Sequence, residues 1–123
     1  MNTPEFMDRV GQRAFYRPVG IVTLEVGIDM IVGAVRWARE QQMQDIVVNA
    51  HGLRGFSAPS TFARYDFGKR IADAAGALHV AVVVAPELID PQKLGALVAQ
   101  NRGLTGDVFA SEAAALEWLD ARA

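Results

Sequence analysis

Asp45-Ile-Val-Val-Asn-Ala-His-Gly-Leu-Arg-Gly-Phe-Ser-Ala-Pro-Ser-Thr-Phe-Ala-Arg-Tyr65 decides how this chain is read. Its first five residues read as a central strand whose apolar run, Ile46–Val48, is continuous, as expected when both faces are covered. Its last residues open a helix that starts at Ser60, with Pro59 suited to its first turn. Between them lies a polar loop rich in glycine. A strand, a loop and a helix in this order make half of a βαβ unit. In open α/β sheets such loops, at the carboxyl ends of strands, are where ligands and partners bind.

The same alternation extends outward. His79–Val84 is a second buried strand, preceded by Gly76 as the stop of the helix from Ser60 to Ala75. Thr23 caps a helix from Leu24 to about Gln41, on which Leu24, Ile28, Ile31, Val35 and Ala38 recur at helical spacing. Asp90-Pro91 reads as a cap and first turn, opening a helix to about Asn101 that Gly103 ends. Asp107–Phe109 is a short last strand, and Ser111 caps a closing helix from Glu112 to about Ala121. Ala14–Arg17 and Gly20–Val22 read as short strands around Pro18, which confines the first to an edge or an end. Residues 1–13 are weakly patterned: Thr3 and Pro4 suit a short turn ended by Gly11, or the segment is a tail. The expectation is one α/β domain: a mixed, mostly parallel sheet of about five strands with four main helices. It spans residues 14–123 behind an N-terminal segment, 1–13.

Composition agrees. The 123 residues are 51% hydrophobic and 21% charged, which suits one folded domain and argues against disorder. No cysteine is present, so disulfides and thiolate metal sites are excluded. No apolar run is long enough to span a bilayer, and the first residues lack the basic and apolar regions of a signal peptide, so a cytoplasmic location is expected. The first helix confines Glu25, Asp29, Arg36, Arg39 and Glu40 to an arc of about 100°. The rest is apolar or small, including Val26, Met30, Gly33 and Trp37. That width calls for a second partner, either the N-terminal segment or another subunit, and a homodimer is expected.

Net charge is −2, unevenly spread. Over residues 50–71, Arg54, Arg64, Lys69 and Arg70 stand against Asp66. Over residues 107–123, Asp107, Glu112, Glu117 and Asp120 stand against Arg122. The basic excess is too small for a nucleic-acid footprint, and nucleic acid is not an expected partner; it suits one small anion.

The candidate site residues are Asn49, His51, Arg54, Ser57, Ser60, Thr61, Arg64 and Tyr65. No metal-ligand spacing and no phosphate-binding fingerprint is present, and no cofactor or catalytic residue is assigned. Gly52 and Gly55 read as turn residues with positive φ. His51 serves a reaction only with a nearby nucleophile such as Ser57 or Ser60; the plainer reading is a loop imidazole bonding backbone groups. Arg64 lies four residues after Ser60, on the side that carries Phe67 and Ile71, at the sheet's carboxyl edge. An arginine there needs a partner: an internal carboxylate or carbonyl, or the carboxylate or phosphate of a ligand.

Three local patterns carry a resemblance. Tyr16-Arg-Pro-Val-Gly-Ile-Val-Thr23 resembles an opening hairpin followed by a capped helix. Asp45-Ile-Val-Val-Asn49 with its long loop resembles a central strand and functional loop. Val108-Phe-Ala-Ser-Glu-Ala-Ala-Ala-Leu-Glu-Trp-Leu119 resembles a terminal strand and helix. Together, over Ala14 to Leu119, they resemble the STAS-like, or SpoIIAA-like, α/β family. The resemblance implies a regulatory, protein-binding domain without enzymatic activity. In anti-sigma-factor antagonists of that fold, a serine opening the helix after the central strand is phosphorylated and the same surface binds a kinase. Ser57, Ser60 and Thr61 occupy the corresponding region, although the compact Asp-Ser-Gly acceptor motif is absent and the loop is longer. Other relatives look like small-ligand or lipid-binding modules. A small anionic-ligand or lipid-binding module is therefore the alternative function, and a hydrolase using His51 and a loop serine the third.

Overall fold

The structure, a computed structural model, describes residues 3–122. In chain order it consists of β1 (Met7–Val10), β2 (Arg13–Tyr16), β3 (Gly20–Ile21), α1 (Leu24–Glu40), β4 (Asp45–Asn49), β5 (Leu53–Arg54), α2 (Thr61–Ala75), β6 (His79–Val83), a 3-10 turn (Pro86–Leu88), α3 (Leu94–Asn101), β7 (Gly106–Phe109) and α4 (Glu112–Asp120). Five strands form one sheet in the order β1-β2-β4-β6-β7. β1 is antiparallel to β2 and every other pairing is parallel. The expected α/β architecture, with its mostly parallel sheet and four helices, is present.

The pleat assigns the two faces. Along a strand, alternate side chains point to opposite sides. Ala14, Tyr16, Ile46, Val48, Val80 and Val82 join a core with residues of α1, α2 and α3, including Val35, Ala38, Ile71 and Ala99. Val47, Ala81 and Val83 point the other way and pack against Ala115 and Leu119 of α4, flanked by Phe15, Phe109, Leu116 and Trp118. Three helices therefore cover one face and α4 alone covers the other. Thr23 and Ser111 cap α1 and α4 as expected, and Ser60, expected as the first residue of its helix, is instead the cap of α2; each hydroxyl accepts from the amide three residues on.

Several local expectations change. Met7–Val10 is neither a tail nor only a turn: it pairs with β2 through a tight connection at Gly11, whose φ is +61°. Gly20–Ile21 does not form a hairpin with the preceding strand. It pairs in parallel with Leu53–Arg54, deep in the polar loop, as a separate two-stranded ladder. α3 opens at Leu94 rather than Pro91, with Lys93 as its first cap residue in the left-handed region (φ 51°). Asp90 still serves this end, its carboxylate accepting from the Leu94 amide at 2.9 Å. Within α1, Val32 and Ala34 are buried, and Met30 and Trp37 pack half-buried against the same core.

The tightest helix contact is between α2 and α3. A Cβ on Gly68 would overlap the carbonyl oxygen of Gly95, and one on Gly95 would lie 3.1 Å from the Arg64 carbonyl oxygen. The two backbones meet with no side chain between them. Gly68→Ala is expected to lower stability by about 1–3 kcal/mol, as overpacking does, read as a shift in urea midpoint at unchanged slope.

Two ion-paired clusters hold α4. At its carboxyl end, Arg13 Nε donates to Asp45 Oδ1 at 2.7 Å and Nη2 to Oδ2 at 3.1 Å, while Nη2 also reaches Asp120 Oδ1 at 3.0 Å. Asp45 is only 2% exposed, the sole charged residue in the buried set among the described residues. Arg13→Met would leave that carboxylate buried without its partner. The expected loss is about 3 kcal/mol by chemical denaturation.

Candidate functional site

The polar loop divides at the sheet edge. Asn49, the last residue of β4, has the same parity as Val47 and so points to the α4 face. Its Nδ2 donates to Glu112 Oε2 at 2.8 Å, and its Oδ1 accepts from the His51 backbone amide at 3.0 Å. Glu112, in the first turn of α4, forms a two-pronged pair with Arg17: Nε to Oε2 at 2.8 Å and Nη2 to Oε1 at 3.0 Å. Arg17 also stacks over the Phe15 ring, 4.7 Å from its centroid, and reaches Asp8 at 3.5 Å. This is the second clamp on α4. Arg17 and Glu112 were not among the residues read from sequence; they lie 95 positions apart and no local pattern joins them.

The loop beyond is laid against the β3 segment. Gly20 donates to the Gly52 carbonyl at 3.1 Å and Val22 to the Arg54 carbonyl at 2.7 Å. Gly55 has the expected positive φ (+105°), but Gly52 does not. A Cβ on Gly52 would lie 2.6 Å from the Pro18 carbonyl oxygen, so close backbone approach explains that glycine. The His51 side chain, Arg54, Ser57 and Thr61 are exposed, and Tyr65 is 50% exposed. The Ser60 hydroxyl is engaged as the α2 cap. Among the described residues, no hydrogen bond joins the His51 imidazole to Ser57 or Ser60, and no three His, Asp or Glu side chains gather as a metal site.

Arg64 goes to the other face. There, between the sheet and α1, α2 and α3, lies a cavity of about 160 Å³. The sheet contributes Val80, Val82 and Val108. α1 contributes Leu24, Ile28 and Ile31; α2 contributes Ala63, Phe67 and Ile71; α3 contributes Ala96 and Ala99. Ala50, Phe56 and Pro59 from the polar loop, with Leu88 and Ile89 after β6, bring it to the carboxyl edge. The charged lining residues are Arg64, Asp90, Lys93 and Asp107. Lys93 pairs with Asp107 at 3.2 Å, and Asp90 is occupied at the α3 amide. Arg64 donates from Nε to the Pro59 carbonyl at 3.2 Å and from Nη1 to the Leu88 carbonyl at 3.0 Å. Its partners are carbonyls, and among the described residues it forms no ion pair.

Of the eight residues singled out in the sequence, only Arg64 lines the cavity. Phe56 and Pro59 come from the same loop and join it there; Asp90 and Lys93 arrive from the connection between β6 and α3, and Asp107 from β7. No protein-family model matches the chain, and neither a curated protein nor a solved structure is similar to it. Among the described residues, no helix is long and apolar enough to cross a membrane.

Hydrogen bonds from Arg17 hold the Glu112 carboxyl below its ordinary value; Asn49 adds to this and partial burial opposes it. A depressed folded pKa contributes stability that is present above the unfolded value of about 4.3 and lost as pH falls through the lower folded value. Glu112→Gln is therefore expected to lower stability by about 1 kcal/mol at pH near 7. Thermal melts across the acid range should show the gap closing as the wild-type carboxyl becomes protonated.

Proposed function

We propose that the protein is a non-enzymatic binding module whose cavity takes a small amphipathic anion. The apolar part lies between the sheet and α2 and α3, and the anionic group turns toward Arg64. The observation that carries this reading is the apolar cavity opening beside an arginine that has carbonyl partners but no carboxylate. Apolar pockets with a few convergent polar groups are the usual form of small-molecule sites. Left empty, this apolar lining would forgo the contacts that a bound molecule supplies. A ligand that restores those contacts stabilises the fold as it binds.

Native mass spectrometry of freshly purified protein is expected to show a retained small anion. Ala96→Leu, which fills the cavity from α3, and Arg64→Gln should each reduce its occupancy. Protein that flies at its bare mass, and that no carboxylate or phosphate amphiphile stabilises in thermal melts, would refute the reading.

The exposure of Phe62 (78%) and Tyr65 on the outside of α2, beside Ser57 and Ser60, favours a second reading: a partner-binding surface of the kind the STAS-like resemblance implies. In that reading a phosphate on Ser57 would lie near the α2 N-terminus. Ser57→Asp should then alter what a pull-down from the native host recovers, and an unchanged result removes the switch. A homodimer through α1 would have to use Val26, the one large apolar side chain exposed on that helix. Light scattering of Val26→Asp against the parent decides it.

A further inference from the structure

We propose that the ligand is a compact aryl carboxylate: one ring-sized apolar body carrying a single carboxylate, and not a long-chain lipid or a phosphate ester. The proposal rests on the binding-module reading and narrows it to a chemical class.

Size comes first. Drug-sized ligands occupy pockets of about 300–1,000 Å³, whereas a cavity of about 150 Å³ lined by Leu, Ile and Phe holds benzene. The cavity here, about 160 Å³, belongs with the second. A long acyl chain has more than twice the carbon of a ring and would need an outlet. The α2–α3 seam offers none, because Gly68 and Gly95 meet backbone to backbone. The far end of α3 is fastened to the start of β7, Gln100 Nε2 donating to the Gly106 carbonyl at 2.8 Å.

The walls favour a ring. Phe56 and Phe67 both line the cavity and are both half-buried. Aromatic pairs gain from offset or edge-to-face contact beyond the area they bury. Apart from Arg64, Asp90, Lys93 and Asp107, the remaining side chains of the lining are aliphatic and present no donor or acceptor that would select a polar body.

The charges select the head group. The bonds from Arg64 Nε and Nη1 to the Pro59 and Leu88 carbonyls fix the guanidinium plane, and its Nη2 has no partner among the described residues. Lys93 is neutralised by Asp107. The four lining charges sum to zero, and Arg64 is the cation among them with no carboxylate partner among the described residues. A monoanion supplies that partner and adds only one negative charge to a lining that already holds two carboxylates. A phosphate dianion would bring a second negative charge toward two carboxylates.

Titration calorimetry with phenylpropanoate, its neutral analogue phenylpropanol, phenyl phosphate and palmitate tests this. Phenylpropanoate is expected to bind with one-to-one stoichiometry, more tightly than the other three. Arg64→Gln should weaken phenylpropanoate about tenfold or more. It should leave phenylpropanol unchanged, which separates loss of the charge from any loosening of the mouth. Ala96→Leu should weaken both. Palmitate or phenyl phosphate binding more tightly than phenylpropanoate would overturn the aryl-carboxylate class while the binding-module reading stands. Failure of all four, with no retained ligand in native mass spectra, would overturn both.

Discussion

The buried carboxylate of Asp45 is the constraint on which the arrangement turns. It begins the central strand, where an unpaired charge would cost several kcal/mol, and it has two good bonds from Arg13 on the neighbouring strand. Arg13 also reaches Asp120, so the same guanidinium ties the sheet to the last turn of α4. Four residues along β4, with the same parity, Asn49 meets Glu112 at the first turn of that helix. Asp45 and Asn49 thus bracket Val47 on one face, and α4 is clamped at both ends above it. Such pairs add little net stability compared with apolar packing. Their effect here is positional: a nine-residue helix is fixed in direction and register over a small core.

With α4 fixed, the opposite face carries the three crossover helices, and their residue sizes decide what lies beneath. The inner side of α3 presents Gly95, Ala96 and Ala99, and α2 presents Ala63 and Gly68 beside them. These small residues let the helix backbones touch at Gly68 and Gly95. They also fail to fill the space down to Val80 and Val82. Close contact at the seam and a void against the sheet therefore have the same cause. The 3-10 turn at Pro86–Leu88 and the left-handed Lys93 then carry the chain around the mouth, where the Leu88 carbonyl meets Arg64.

These features differ in how plainly the sequence displays them. Apolar runs such as Ile46–Val48 and Val80–Val83, and the caps Thr23 and Ser111, are local signals, and the fold class follows from them. β1 is obscured because three of its four residues are exposed, so it has no strong apolar alternation. β3 and β5 are two residues each, and their pairing depends on the close approach of Gly52 to Pro18. Arg64 is legible from its spacing to Ser60, Phe67 and Ile71, and a carbonyl is one of the partners that an arginine at that place calls for. The cavity was not legible, because it is made by what alanine and glycine lack. The Arg17–Glu112 pair was hidden by sequence distance.

The sheet's carboxyl edge therefore presents two unlike faces. On the α4 side, Arg17, Asn49 and Glu112 satisfy one another, and the His51 amide completes the Asn49 bonds. A network so closed has structural value and little capacity left for a ligand. On the other side, an apolar void adjoins a guanidinium held in place by carbonyls and left with its charge. Water there would have few polar partners, whereas an apolar body with one anionic end would meet both needs at once. The two faces share one strand, so a polar segment that looks like a single site in sequence is divided between a clamp on one face and the edge of an apolar cavity on the other.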